Sequence, residues 1–270
     1  IAGASPVTFE GESPLGVKDN WDTTSSKQIV VMDRHSGQPL WTYDSEYCFR
    51  HNTICVGGEK LFCIDRLPDA IVEKMERRGE ELKTEPKLAA LEVRSGQVLW
   101  SATGDVFGTW LSYSQEYDLL LQAGRPSRDM LSQEPGDRMI VYRGADGEVA
   151  WDKAHKYGGP PLLHGDTIIT QGQAFSLLDG EPRMRHHPLT GVEAPWSFKR
   201  MYGCNTAIAS EHLLTFRSGA AGFFDLTGDG GTGNLGGFKS GCTSNLIVAD
   251  GVLNAPDYTR TCICSYQNQT

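Results

Sequence analysis

Residues 30–41 read VVMDRHSGQPLW and residues 88–100 read LAALEVRSGQVLW, and this phrase decides the predicted fold class. Each copy is an aliphatic run, a polar turn with glycine, and a short second run that ends in tryptophan. The phrase recurs as MIVYRGADGEVAW at 139–151, as LTGVEAPW at 189–196 and, with phenylalanine in place of tryptophan, as GNLGGF at 233–238. Five copies of one phrase predict a repeat protein in which each copy is one structural unit.

Each copy has the chemistry of a β-hairpin. A Ser-Gly, Asp-Gly or Thr-Gly pair stands between two apolar runs, and glycine supplies the positive φ that tight hairpin turns require. A second pair of strand-like runs follows each aromatic residue, at 52–56 with 60–64, 109–113 with 118–123, 161–163 with 167–170, 204–209 with 212–216, and 243–249 with 252–255. We therefore expect four antiparallel strands in each repeat, which is the composition of one β-propeller blade.

The aromatic residues that end the copies lie 59, 51, 45 and 42 residues apart. Because a four-stranded blade needs about 40–45 residues, we attribute the long intervals to insertions at 66–87 and 126–138. In the first insertion, residues 69–79 carry apolar residues at helical spacing among strong helix formers, which predicts a short helix. The second insertion is rich in Pro, Ser, Asp and Gly, which indicates a loop. The predicted fold is an all-β propeller of about five or more four-stranded antiparallel blades with one short inserted helix.

The composition limits the classes of partner. The chain has 270 residues with 25 basic and 34 acidic side chains, and its net charge of -9 opposes binding to nucleic acid. No apolar run approaches the ~20 residues that a membrane span needs. Seven cysteines are many for a reduced cytosolic protein, which favours a periplasmic or other cell-envelope or extracellular location. We expect one domain over residues 1–270, and either its ends complete one blade or further blades lie outside this segment.

The aliphatic-Asp-x-x-Ser/Thr-Gly-x-x-Leu-Trp phrase resembles the tryptophan-docking repeat of quinoprotein-type propellers, the PQQ-like (pyrroloquinoline-quinone-like) family, over residues 30–265. Residues 202–207 and 213–225 resemble more closely the PQQ-like repeat proteins that are common in planctomycete bacteria. The resemblance implies that one aromatic residue of each copy docks on the neighbouring blade, namely Trp41, Trp100, Trp151, Trp196 and Phe238. The family includes quinone-dependent alcohol and glucose dehydrogenases, and also cofactor-free relatives such as the lipoprotein that assists outer-membrane barrel assembly.

Unusual polar groups recur where an inner strand begins, beside the predicted central channel. We expect this channel mouth to be formed by Arg50, His51, Asn52, Cys204, Asn205, Cys242 and Asn245. An arginine with amides would favour a small anion, and the thiols with an imidazole would favour a soft metal. The alternative is that these groups satisfy one another through hydrogen bonds and that the thiols are buried. Cys55 and Cys63 flank the Gly57-Gly58 turn and would form a disulfide if the hairpin register places them opposite each other.

The resemblance alone does not imply an enzyme. Quinoprotein dehydrogenases carry a Ca²⁺ site of Glu, Asn and Asp, a catalytic Asp and a vicinal Cys-Cys disulfide, whereas this chain has no adjacent cysteine pair. Asn205, Asn245 and Asp257 have oxygen atoms of the type that Ca²⁺ binds, but no motif spacing selects them. No catalytic residue, metal or cofactor follows from the residues themselves.

Three functions remain open at this point. The sequence favours a non-catalytic propeller scaffold that binds a protein partner or a small ligand in the cell envelope. A PQQ- and Ca²⁺-dependent oxidoreductase is the alternative. A third possibility is the propeller module of an electron-transfer protein that is fused to a cytochrome.

Overall fold

A computed structural model describes residues 1–7, 25–79, 85–126, 134–187, 189–203, 205–228, 230–241 and 244–256. The chain forms two compact units. Unit 1 comprises Ile1–Ala123 and Ile140–Ala150, and unit 2 comprises Gly124–Met139 and Trp151–Thr270. The regular structure of the described residues is strand apart from one short helix, which confirms the predicted all-β class with a single helix.

The first sheet has six antiparallel strands that follow the order of the chain. They are β1 (Ala2–Pro6), β2 (Ser25–Met32), β3 (Pro39–Gly57), β4 (Lys60–Asp65), β5 (Lys87–Glu92) and β6 (Val98–Thr103). Strand β3 is 19 residues long, and it pairs with β2 through its first part and with β4 through its second part. The sequence predicted the end of the repeated phrase and residues 52–56 as separate strand-like runs, but the structure joins them into one strand.

The other sheets are smaller. Strands β7 (Trp110–Ser114), β8 (Leu119–Ala123), β9 (Arg138–Arg143) and β10 (Val149–Ala154) form a four-stranded sheet. A three-stranded sheet follows with β11 (Leu162–His164), β12 (Thr167–Ile169) and β13 (Ala174–Ser176), and then a hairpin of β14 (Met184–His186) and β15 (Glu193–Pro195). A second four-stranded sheet contains β16 (Ile208–Ala209), β17 (Leu213–Ser218), β18 (Ala220–Asp225) and β19 (Thr232–Asn234), and β20 (Ile247–Ala249) pairs with β21 (Val252–Asn254).

The strand pairs that the sequence predicted after each aromatic residue are present. They are β3–β4, β7–β8, β11–β12, β16–β17 and β20–β21, and all five pairs are antiparallel. Two of the sheets have four strands, and the others have six, three or two.

The predicted insertion helix is also present. Helix α1 spans Asp69–Arg77, begins directly after Pro68 and buries Ile71. The guanidinium of Arg66 donates hydrogen bonds to the Phe107 carbonyl and to the Asp69 carboxylate at the start of the helix. No helix in the described parts of the chain has the length and apolar content needed to cross a bilayer. In the second insertion, residues 127–133 lie outside the described residues.

Strands β4 and β5 are buried on both faces. Alternate residues of a strand point to opposite faces, so one face of β4 carries Phe62 and Ile64 and the other carries Leu61 and Cys63. The first face packs in a cluster with residues of β5, β7, β8 and β9, including Leu120. The second face packs in a cluster with residues of β2, β3 and β5. Both faces of β4 and β5 are therefore covered, and these two strands are accordingly almost continuously apolar.

Three tryptophans make the same contact, which we call the docking contact. The indole Nε1–H donates to a carbonyl, and the ring covers a turn glycine three residues further along the chain. The pairs are Trp41 with Val93 O (2.8 Å) and Gly96, Trp100 with Gly144 O (2.9 Å) and Gly147, and Trp151 with Leu177 O (2.8 Å) and Gly180. A Cβ on these glycines would lie 2.5 to 3.0 Å from the indole, and each glycine has a positive φ of 73° to 76°. No other residue type fits under the ring in this conformation.

A β-bulge precedes the first two docking tryptophans. Val31 pairs with Trp41 but Met32 pairs with Pro39, and Ala90 pairs with Trp100 but Leu91 pairs with Val98. The residues skipped by these registers, Leu40 and Leu99, are both exposed. A bulge of this kind bends the strand and re-aims the next side chain, so it helps to direct the indole onto the neighbouring turn.

The turn that Trp151 contacts is not the one in the fourth copy of the phrase. Trp151 docks on Gly180, whose turn follows β13, and not on the turn at Gly191. Gly191 lies in the turn between β14 and β15, and a Cβ added there would meet no atom within 4 Å. The sequence missed Gly180 because Met184 stands four residues after it, where the other copies have tryptophan.

The fifth copy of the phrase, residues 233–238, does not form the predicted hairpin. Gly233 lies within β19, where it packs beneath the ring of Phe223, so residues 233–238 do not form a turn followed by a strand. Phe238 is half-buried, and its carbonyl accepts a hydrogen bond from Ala221 N (2.7 Å). Trp196 packs edge-on against Phe224 with the ring centres 5.4 Å apart, within the apolar cluster of unit 2.

The docking contact can be tested with Trp100→Phe, which keeps an aromatic ring and removes the donor to the Gly144 carbonyl. We expect the free energy of unfolding, measured by urea denaturation, to fall by about 1–2 kcal/mol because a hydrogen bond is lost. Trp196→Phe is the matched control, because in the described part of the chain Trp196 makes ring contacts without an indole bond to a turn carbonyl. Equal losses in the two variants would contradict the importance of the indole bond.

His155 makes the docking contact of Trp151 sensitive to pH. Its Nε2–H donates to the Gly180 carbonyl (2.8 Å), and its ring lies 4.3 Å from Phe175 and 6.4 Å from Trp151. Burial lowers the pKa of His155 and outweighs the Gly180 hydrogen bond, which raises it; Lys153 also lowers it and Glu181 raises it. The folded state therefore prefers the neutral ring.

Stability should accordingly fall as the pH drops below about 6.5, because the unfolded chain binds a proton there more readily than the folded chain. Urea denaturation at pH 7.5 and pH 5.5 measures this difference. His155→Gln should flatten the dependence, whereas the exposed His35→Gln should leave it unchanged. A His155→Gln variant with the wild-type pH dependence would rule out this assignment.

Candidate functional site

The predicted channel-mouth residues divide between the two units. Arg50, His51 and Asn52 lie in β3 of unit 1, whereas Asn205 and Asn245 lie in unit 2. Cys204 and Cys242 lie outside the described residues. The structure brings Asn205 and Asn245 into one network, described below.

The unit 1 residues are held by their own sheet. Arg50 is only 5% exposed, and its carbonyl accepts a hydrogen bond from Thr53 Oγ1 (2.8 Å). The exposed His51 shares a hydrogen bond of 2.9 Å with Ser26 Oγ. Gly3 of β1 lies so close to this pair that a Cβ there would be 2.8 Å from His51 Nε2. His51 therefore contacts β1 and β2, and these contacts hold its ring against the sheet.

The register of the β3–β4 hairpin contradicts the predicted disulfide between Cys55 and Cys63. Cys55 pairs with Phe62 and Cys63 pairs with Ile54, so the two thiols point to opposite faces of the sheet and both are free. A disulfide between them would need a register shift of one residue. Burial raises the pKa of both thiols, and also that of Cys48, whose Sγ donates to the Arg66 carbonyl (3.1 Å). Protonated, buried thiols are poor nucleophiles and poor metal ligands.

A cavity in unit 2 is the candidate site. It has a volume of about 500 Å³. Ten of the described residues line it: Pro126, Gly158, Gly159, Gln171, Arg200, Met201, Tyr202, Gly203, Asn205 and Thr206. Most of them belong to the segment 200–206, so this segment determines the shape of the cavity.

Segment 200–206 is fixed along the end of β17 and its following turn. Arg200 Nε donates to Arg217 O (2.9 Å), Met201 N donates to Ser218 Oγ (2.8 Å), and the Tyr202 carbonyl accepts from Gly219 N (2.6 Å). A Cβ at Gly203 would lie 2.1 Å from the Arg217 carbonyl oxygen, so the close approach of the two backbones requires glycine there.

Asn205 is the central residue of this arrangement. It is only 6% exposed, and its Nδ2 donates to Ser240 Oγ (2.7 Å) and to Ser244 O (3.0 Å). Its Oδ1 accepts from Arg217 N (3.0 Å) and from Arg200 Nη2 (3.1 Å). One buried amide therefore joins the cavity wall, β17 and the 240–244 segment.

Asn245 supports the next residue of the wall. Its Oδ1 accepts hydrogen bonds from Thr206 N and from Thr206 Oγ1, each at 3.2 Å. The sequence selected Asn205 and Asn245 as binding residues, and the structure shows that both position the backbone of the cavity wall.

The asparagines do not fit the Ca²⁺ site that a quinone cofactor would require. Both side-chain oxygens already accept two hydrogen bonds, and the cationic Arg200 touches that of Asn205, which opposes a second cation. Asp257, the third candidate ligand, lies outside the described residues. Among the residues that the structure describes, no three His, Cys, Asp or Glu side chains converge as a metal site.

Arg200 gives the cavity its charge. Its guanidinium donates to Gln171 Oε1 (3.3 Å), to the Gly203 carbonyl (2.8 Å) and to the Asn205 carbonyl, and it lies 6.0 Å from the Phe216 ring. The sequence analysis missed Arg200, Gln171 and Tyr202 as site residues. One signal was available, because Arg200 follows shortly after a copy of the repeat phrase, as the predicted channel-mouth residues do.

Comparisons with known proteins leave the family open. No protein-family model and no curated protein matches the chain. Among solved structures, BamB from Moraxella catarrhalis is 14% identical with a TM-score of 0.48, and the match covers 84% of this chain and 65% of that chain. A quinohemoprotein alcohol dehydrogenase from Pseudomonas putida HK5 is 13% identical with a TM-score of 0.34, and the match covers 79% of this chain and 32% of that chain.

A europium-containing methanol dehydrogenase is 13% identical with a TM-score of 0.35, and the match covers 77% of this chain and 38% of that chain. The chain thus spans less than two thirds of the length of each of these three proteins. At these identities and TM-scores, neither a family nor an activity follows for this chain.

The role of Asn205 can be tested with Asn205→Ala. We expect the free energy of unfolding to fall by about 3 kcal/mol, because buried partners of the amide lose their hydrogen bonds. Urea denaturation measures this loss. Asn254→Ala, an exposed asparagine whose amide makes only contacts of 3.3–3.4 Å, is the control and should change stability by less than about 0.5 kcal/mol. If Asn205→Ala lowers the free energy of unfolding no more than Asn254→Ala does, the hydrogen bonds of Asn205 do not stabilise the cavity wall.

Proposed function

We propose that this chain is a non-catalytic binding module, a β-propeller scaffold of PQQ-like repeats in the cell envelope that takes a protein partner or a small ligand. The repeated docking contact and the stacked antiparallel sheets of unit 1 support the scaffold part of this proposal. The envelope location rests on the cysteine content and on the resemblance of the repeat phrase.

The lining of the unit 2 cavity carries the proposal. It offers a guanidinium, two amides, a hydroxyl, glycine backbone, and the side chains of Met201 and Tyr202. The lining residues that the structure describes include no carboxylate, imidazole or thiol; Cys204, which stands between Gly203 and Asn205 in the sequence, lies outside the described residues. Thr206 is the one aliphatic hydroxyl, and its proton is directed to Asn245 Oδ1, away from the role of a nucleophile with an adjacent base. Such a lining can hold and orient a ligand, and Tyr202 is the one described side chain in it of a type that serves in general acid-base catalysis.

The quinone-dependent dehydrogenase is disfavoured by the same residues. It would need Ca²⁺ ligands beside a flat aromatic floor, whereas the amide oxygens of Asn205 and Asn245 are occupied by N–H and O–H donors. The electron-transfer module depends on sequence beyond residues 1–270, and nothing in the described residues favours it.

A ligand-observed NMR screen of small polar fragments tests the binding role. We expect fragments that bind to wild type to lose binding in Tyr202→Ala, since Tyr202 forms part of the cavity wall. Tyr117→Ala, which removes a tyrosine from the β7–β8 turn of unit 1, is the matched control and should retain them.

A quinone-dependent oxidation by this chain would contradict the proposed function. If the chain retains pyrroloquinoline quinone after desalting in the presence of Ca²⁺, and then reduces an electron-accepting dye with an alcohol or glucose, the non-catalytic role is refuted. A screen in which no fragment depends on Tyr202 would remove the cavity from the proposal.

A further inference from the structure

We propose that the unit 2 cavity is a site for a small carboxylate with an apolar body, held by Arg200 and Gln171 and packed on Tyr202. This inference rests on the proposed binding role and names the chemical class of the ligand.

The charge of the cavity wall favours an anion. Arg200 is the one charged side chain among the ten lining residues. A second cation lies directly behind the wall, because Arg217 is fully buried and its guanidinium is 5.9 Å from the ring of Tyr202. Charges in a poorly solvated wall are screened less than charges in water. The guanidinium of Arg200 therefore favours a negative ligand in this cavity over a cation.

The carboxylates of unit 2 that form ion pairs are engaged with other bases. The pairs are Arg125–Glu134, Arg138–Asp152, Lys153–Glu181 and Arg183–Asp166. Within each of these pairs the negative charge is balanced by its own partner, so these carboxylates do not cancel the positive charge of the cavity wall.

Gln171 presents hydrogen-bond donors to the ligand. Its Oε1 accepts from Arg200 Nη1 (3.3 Å), which orients the amide so that Nε2 is its remaining polar atom. Gly159 has a φ of 70°, and a Cβ at that position would be 2.9 Å from Gln171 Nε2. The glycine therefore lets its backbone pack closely against the Gln171 side chain, and the N–H groups of Nε2 suit a carboxylate oxygen.

The rim of the cavity suits an apolar body. Met201 is 77% exposed and Tyr202 is 59% exposed, although both are large and partly apolar. An aromatic face and a thioether can cover a planar ring without loss of hydrogen bonds. A volume of about 500 Å³ lies within the usual range for small organic ligands.

Three probes of nearly equal size and different charge test this inference on the full chain. Isothermal titration calorimetry with benzoate, benzamide and benzylammonium compares an anion, a neutral amide and a cation. We expect benzoate to bind at least about tenfold more tightly than benzamide, as charge-assisted hydrogen bonds predict, and benzylammonium to bind least. Tyr202→Ala should weaken benzoate binding, which places the probe at this wall.

Gln171→Glu is the decisive variant because it keeps the shape of the side chain and places a negative charge beside Arg200. It should weaken benzoate binding at least about tenfold and should leave the urea unfolding midpoint near that of wild type. Gln115→Glu makes the same charge change at an exposed position of unit 1 and should leave benzoate binding unchanged.

The outcomes separate this inference from the proposed function. Equal binding of benzoate and benzamide, unchanged benzoate binding in Gln171→Glu, or no benzoate binding at all would each overturn the carboxylate assignment. Fragments of another charge that depend on Tyr202 would at the same time leave the binding module intact. Dye reduction with quinone and Ca²⁺ would overturn the proposed function whatever benzoate does.

Discussion

The stacking of an indole ring on a turn glycine is the interaction on which the rest of the described structure depends. In each docking contact the tryptophan covers a glycine of positive φ and donates its N–H to the carbonyl three residues earlier. The contact satisfies the one polar atom of a large apolar ring, and it places the ring against backbone without an intervening side chain. In unit 1 it joins the end of one repeat to the turn of the next. Strands β4 and β5 are consequently covered on both faces.

The segments that connect the strands need other contacts to hold them in place. Segment 200–206 shows how such a segment becomes rigid. The buried amide of Asn205 and the guanidinium of Arg200 replace the strand pairing that this segment lacks, and Gly203 permits the close approach of two backbones. Most of their hydrogen-bonding groups are used in building the wall, and the wall presents Arg200, Gln171, Tyr202 and Met201 to the cavity. The site is thus suited to hold a ligand in a fixed geometry.

The strand register separates residues that the sequence places together. Cys55 and Cys63 flank one turn and are natural partners by spacing, yet a difference of one residue sends them into two different apolar clusters. Because the side-chain period of a strand is two, no intermediate arrangement exists. The same rule places Cys63 in a fully buried position and Cys55 in a half-buried one, and burial raises the pKa of both thiols.

The sequence by itself determined the all-β class, the five strand pairs and helix α1, because these depend on local turn chemistry and on periodicity over a few residues. It also identified Trp41, Trp100 and Trp151 and the glycines that face the first two of them, since both partners recur in one phrase. Only the tertiary structure decided that Trp151 lies on Gly180, where no tryptophan marks the turn. Likewise, the cavity joins Gln171 to Arg200 across 29 residues of chain, and Asn245 to Thr206 across 39. Contacts between residues so far apart in the sequence depend on how the sheets pack and where two backbones approach each other. A local sequence pattern does not contain this information.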